Sequence, residues 1–249
     1  MRRRLIALAA SMPWLGILTS TDAVADRNSL WQVVGNLCVH DQERTGIPFP
    51  CQSVDLERGF AVVRVTGLHF LVVPTEKVAG IESAELLVAG APNYWGDAWD
   101  TRSALNDAAG VEVPRIDVGL ALNSAEARTQ DQLHIHVGCI RPDVRAALEI
   151  DEAKTGEGWS PLPFSIGGQL YRVLKLKADT LAVTNPFRLL ATGLPEAQSD
   201  MASETLVVAG AKFRDGTNGF YLLARRSRAG NPATGEELLD YNCSVLLSR

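Results

Sequence analysis

Leu122 to Pro142 reads LNSAEARTQDQLHIHVGCIRP, and the strand inside it decides the fold. From Gln132 to Val137 polar and apolar residues alternate strictly, the period of a β-strand, in which successive side chains point to opposite faces. Leu133, Ile135 and Val137 are expected to enter a core, while Gln132, His134 and His136 share the other face. The chain has four histidines, His40, His69, His134 and His136, so half of them stand on one strand. A half-buried strand with a polar outer face reads the same way, so the alternation by itself gives the strand and not its chemistry.

Working outward, Val118 to Leu122 is a second strand, expected to form a hairpin with Leu133 to Ile140 across a polar loop. After Arg141 and Pro142 a helix is expected from Asp143 through Leu148. Upstream, Phe60–Val65 and Leu68–Val73 are β-rich runs separated by Thr66 and Gly67, a hairpin signal. Thr75 is a candidate cap for a helix through Lys77, Ile81 and Leu86, and Ser29 for one through Leu30, Val33, Val34 and Leu37. Tyr94, Trp95 and Trp99 form an aromatic-rich turn before a helix from about Arg102 to Ala109. They suit either a substrate with apolar and polar parts or a loop pinned to the core. Beyond Ile150 the strand-like runs Leu170–Leu176, Thr205–Val208 and Phe220–Ala224 carry no catalytic constellation and no histidine. The pattern predicts an α+β fold, an antiparallel sheet flanked by helices with further C-terminal strands and helices.

With 249 residues, 46% hydrophobic and 21% charged, the chain has material for one substantial core. A net charge of −5 gives no basic patch for nucleic acid. Met1 to Arg4 carries three arginines, Leu5 to Leu18 is mostly apolar, and Ala23, Val24 and Ala25 have the small-residue spacing of a cleavage site, so residues 1–25 read as an export signal. The apolar run is short of the ~20 residues of a bilayer span and contains Pro13. Cleavage after Ala25 is favoured and a retained anchor is the alternative; both place residues 26–249, read as one domain, outside the cytoplasm. In an oxidising compartment Cys38 and Cys51, across a polar loop ending in Pro48 and Pro50, suggest a disulfide. Cys139 and Cys243 either pair or stay as small buried hydrophobes.

His134 and His136 resemble the first two positions of the histidine triad motif, in which histidines alternate with apolar residues. Asn123 and Gln130 then fall on its upstream polar positions and Gly138 on the third triad position. A second register sets Gln132, His134 and His136 on the three positions and makes His134 the central residue. GLHFLVVPTEK, Gly67 to Lys77, resembles the strand and turn that precede this motif in the superfamily, with His69 on a matching histidine. More narrowly, LWQVVGNLCVHDQ from Leu30 to Gln42, Cys51, the segment Leu68 to Thr75, PNYW from Pro92 to Trp95 and the block Leu122 to Arg145 are together similar to the CDP-diacylglycerol pyrophosphatase family. The resemblance covers most of the chain from Ser29 onward.

That resemblance implies a histidine-triad-like (HIT-like) sheet and cleavage of CDP-diacylglycerol to CMP and phosphatidate. It implies His136 as nucleophile, oriented by His134, His69 and Asn123, with Gln130, Gln132, Tyr94, Trp95 and Arg141 as substrate contacts. Nucleophile and charge donors are then all protein groups, so no metal or cofactor is expected. It also implies attachment to the bacterial inner membrane with the body on the periplasmic side. Two other readings stand beside it: a nucleotidyl hydrolase or transferase acting on a soluble nucleotide diphosphate, and a non-catalytic exported nucleotide- or lipid-binding module, to which Gly138 in place of a third histidine lends weight. Oligomeric state is not legible.

Overall fold

Among the described residues, runs rich in β-branched and aromatic residues become ten strands: β1 (Ser53–Asp55), β2 (Phe60–Thr66), β3 (His69–Pro74), β4 (Val118–Leu122), β5 (Ile135–Ile140), β6 (Ser160–Ile166), β7 (Gln169–Lys177), β8 (Glu204–Lys212), β9 (Asn218–Arg226) and β10 (Leu239–Asp240). In the computed structural model, which describes residues 26–247, they form one sheet in the order β1-β2-β3-β5-β4-β8-β9-β7-β6. Neighbouring strands run antiparallel, and the short β10 pairs with the end of β5. The C-terminal runs read from the sequence thus extend the sheet that holds the histidines. The α+β class is as expected.

The alternation sorts the two faces. Leu133, Ile135, Val137 and Cys139 enter the larger apolar cluster with Phe70, Val72, Leu120, Leu206 and Phe220. That side is covered by the helices Tyr94–Asp100, Arg102–Ala109 and Pro186–Gly193, through Trp95, Trp99, Leu105 and Phe187. The other face is covered twice over. The helical run from Ser29 to Thr45, π-helical over Gln32–Val39, lays Val34 against Ala61, Leu71 and Val73. The helix Pro142–Ile150 sets Val144 and Leu148 in a separate cluster that includes Ala121, Ile140, Val207, Leu238 and Leu239. His136 is flanked across the sheet by Leu71 on β3 and Ala121 on β4, one from each cluster, so the histidines lie in the seam between the two covers.

Two elements differ from the sequence expectation. No helix starts at Thr75; the chain after β3 is irregular, with a single 3₁₀ turn at Ala84–Leu86. The backbone groups a first helical turn would need are taken by the loop ahead of β5. The Gln132 amide donates to the carbonyls of Pro74 (3.0 Å) and Glu76 (2.8 Å), its oxygen accepts from Val78 N, and Leu133 N donates to Val78 O at 2.6 Å. The aromatic turn is itself the helix Tyr94–Asp100, entered through Asn93, whose side-chain oxygen accepts from Gly96 N.

Both cysteine pairs are closed. Cys38–Cys51 ties the end of the π-helical run to the loop before β1, as expected, and Cys139–Cys243, a pairing left open above, ties the last segment of the chain to β5.

Candidate active site

In the antiparallel register of β3 and β5 Leu71 lies opposite His136, so His69, two residues before Leu71 and on the same face, is the diagonal neighbour of His136. His69 Nε2 lies 2.9 Å from His136 Nδ1, with ring centroids 5.2 Å apart. His134 stands at a similar distance from His136, edge to face. All three rings are more than nine-tenths buried. Two residues from the far end of the chain complete the group. The Tyr241 ring stacks on His69 at 3.6 Å and brings its hydroxyl 3.1 Å from His136 Nδ1; Glu236 Oε2 lies 3.4 Å from the same nitrogen and from the Tyr241 hydroxyl.

Burial sets the protonation states. It pushes His69 down from 6.5 to about 4, with the neighbouring His134 adding to the effect. His134 is lowered and His136 lowered well below the ordinary histidine value, again chiefly by desolvation. At neutral pH the cluster is therefore three neutral imidazoles. His134 Nδ1 lies 2.6 Å from the Gln132 carbonyl, which can only accept, so Nδ1 carries the proton and Nε2 keeps its lone pair. On His136, every polar group near Nδ1 can accept a proton, and one of them is a carboxylate, while Nε2 is buried with no hydrogen-bond partner among the described residues. A buried N–H without an acceptor is a rarer and costlier orphan than an unused lone pair. The proton belongs on Nδ1 and the free lone pair on Nε2, the tautomer a nucleophile needs.

Asn123, in the turn after β4, reaches the cluster through Glu236 rather than by touching a ring. Its amide donates to Glu236 Oε1 at 2.9 Å, and its oxygen accepts from the backbone of Gly235 (2.8 Å) and Glu236 (3.3 Å). His69, His134, His136 and Asn123 thus come together. The expected substrate contacts do not join them. Gln132 is fully buried and its amide is committed to backbone, as described above. Gln130 accepts from Ser29 Oγ (2.9 Å) and Leu30 N (2.8 Å) and pins the N-terminal helical run. Trp95 has no exposed surface and packs on Phe187, and burial pushes the Tyr94 hydroxyl up to about 12. Arg141 pairs with Asp143 and donates to the Glu237 carbonyl.

No site residue was expected in the C-terminal half, yet Glu236 and Tyr241 from that half stand beside His136. One signal pointed there: had Cys243 been paired with Cys139, the tyrosine two residues before it would have been placed beside the histidine strand. A cavity of about 540 Å³ lies elsewhere; its walls include Tyr171, Arg172, Arg225 and Arg226 and no histidine. Among the described residues, no group of three or more His, Cys, Asp or Glu side chains is arranged to hold a metal ion.

A family model described as CDP-diacylglycerol pyrophosphatase matches residues 25–247. A curated protein of Yersinia pestis named CDP-diacylglycerol pyrophosphatase is 36% identical over 246 residues, spanning 97% of this chain and 92% of its own.

Proposed function

This chain belongs to the CDP-diacylglycerol pyrophosphatase family, and from that premise we propose that its hydrolysis of CDP-diacylglycerol runs through a covalent adduct on His136. The enzyme is a hydrolase that splits the diphosphate of this liponucleotide to CMP and phosphatidate. In the proposed route the lone pair of His136 Nε2 attacks the phosphorus of the nucleotide side. The P–O bond to the second phosphate breaks, its electron pair leaves with phosphatidate, and CMP stays on the ring as a phosphoramidate. Water then attacks the same phosphorus, its proton passes to the free Nε2 of His134, and CMP leaves with His136 restored. The supporting observation is the His136 ring itself, with Nδ1 among acceptors and Nε2 uncommitted.

The finer likeness to the histidine triad sheet belongs to this proposal, with His134 and His136 on the first two positions and His69 facing them from β3. The continuous sheet supports reading residues 26–249 as one catalytic domain. Residues 1–25, expected as a signal or anchor, lie outside the described residues. Among those described, no helix is long and apolar enough to cross a membrane. A lipid substrate and two disulfides favour a body held at the periplasmic side of the inner membrane by that segment.

Brief mixing with CDP-diacylglycerol, followed by denaturing quench and peptide mass spectrometry, tests the route. A CMP adduct on His136 is expected, with His136→Ala losing both adduct and turnover. An adduct on His134, or full turnover in His136→Ala, would overturn it.

A further inference from the structure

Along β5 the alternation His134, His136 would place a third imidazole at position 138, which is glycine. A Cβ there would sit 2.9 Å from Tyr241 Cδ1 and 3.3 Å from Cε1. Across the sheet Gly119 is paired with Gly138, and a Cβ on it would meet Leu239 Cδ2 at 2.5 Å. The two glycines make a bare floor, and the segment from Leu239 to Tyr241 lies in it. The space a third histidine would take is filled by the phenol ring, delivered from another part of the chain.

We propose that Tyr241, backed by Glu236, is the positioning residue that takes the place of a third histidine, holding His136 in its attacking tautomer and orientation. The proposal rests on the reading of His136 as the nucleophile. Burial, with Glu236 beside it, pushes the Tyr241 hydroxyl far above its ordinary value, so the phenol keeps its proton. It offers that proton to Glu236 Oε2 and its oxygen lone pair to His136 Nδ1. Once Nε2 bonds to phosphorus the imidazole becomes cationic, and Tyr241 and the Glu236 carboxylate face the new charge from the Nδ1 side together with His69 Nε2.

The tyrosine is held on both sides. Immediately before it, Asp240 is paired with Cys139 of β5; two residues after it, Cys243 is bonded to the same Cys139. Glu236 is fixed independently by Asn123. This explains how Asn123 reaches the chemistry without touching a ring: it fixes the carboxylate that faces Nδ1. A residue that only filled space would need the ring and not the oxygen, and that difference can be measured.

Tyr241→Phe keeps the ring and removes the oxygen. In the full-length enzyme, with CDP-diacylglycerol in detergent micelles, kcat is expected to fall roughly ten- to a hundredfold with KM within about twofold, and the rate of CMP adduct formation on His136 to fall in parallel. A kcat within about twofold of wild type would overturn the proposal while leaving the adduct, and the nucleophile reading, intact. Absence of an adduct on His136 in the wild-type enzyme would overturn that reading instead. Should Tyr241→Phe fail to fold, ring ¹⁵N shifts of His136 in the wild-type protein decide. Protonated Nδ1 with bare Nε2 at neutral pH is expected, and the opposite tautomer overturns the proposal.

Discussion

Replacing His69 by glutamine tests the neutral cluster through its effect on stability. In the folded chain His69 titrates at about 4, against 6.5 for an unperturbed ring, because burial disfavours its charged form. Between these values the unfolded chain holds the proton and the folded chain does not, so stability is gained as pH rises through the window and lost as it falls. From about pH 7.5 down to about pH 4.5, proton linkage for this one ring amounts to a loss of roughly 2.5 kcal/mol. That is a large share of the ~5–15 kcal/mol that holds a typical domain. Asp97 works in the opposite sense, since burial raises its carboxyl to about 6 and the folded state then binds the extra proton. The informative quantity is therefore the difference between two proteins, and glutamine keeps a polar side chain that cannot titrate. Urea unfolding of wild type and His69→Gln at both pH values should show wild type losing about 2–3 kcal/mol more on acidification. Equal losses in the two proteins would refute the claim that His69 is buried and neutral.

Trp95→Ala should destabilise the protein by about 3–5 kcal/mol while leaving KM nearly unchanged, because the indole is packed in the core against Phe187; a raised KM at unchanged melting temperature would show that the ring contacts substrate instead. Asn123→Ala frees Glu236 and should lower kcat by about tenfold with little effect on KM, read from initial rates of CMP release, whereas a wild-type kcat would separate Asn123 from the chemistry.

Much of this was legible from pattern. Period-two alternation identified β5 and placed Leu133, Ile135 and Val137 in the core, and the hairpin of β2 and β3 followed from a β-rich pair of runs around Thr66 and Gly67. What failed did so for nonlocal reasons. A helix after Thr75 was a fair expectation from capping and apolar spacing, but Gln132 and Leu133 compete for the same backbone groups, and that competition has no local signature. Aromatic composition could not distinguish a pocket from a core, and Trp95 took the core. Glu236 and Tyr241 meet His136 across about a hundred residues of sequence, and only the choice of cysteine partner would have brought them to notice.

Gly138 and Tyr241 share one space, which a side chain at position 138 and the phenol ring cannot both fill as they stand. Histidine at position 138 would drive a side chain into the phenol carbons, and removing the phenol would take the hydroxyl from beside His136 Nδ1 and leave His69 and Glu236 there. Room for a third imidazole on this strand is therefore decided far along the chain, at position 241.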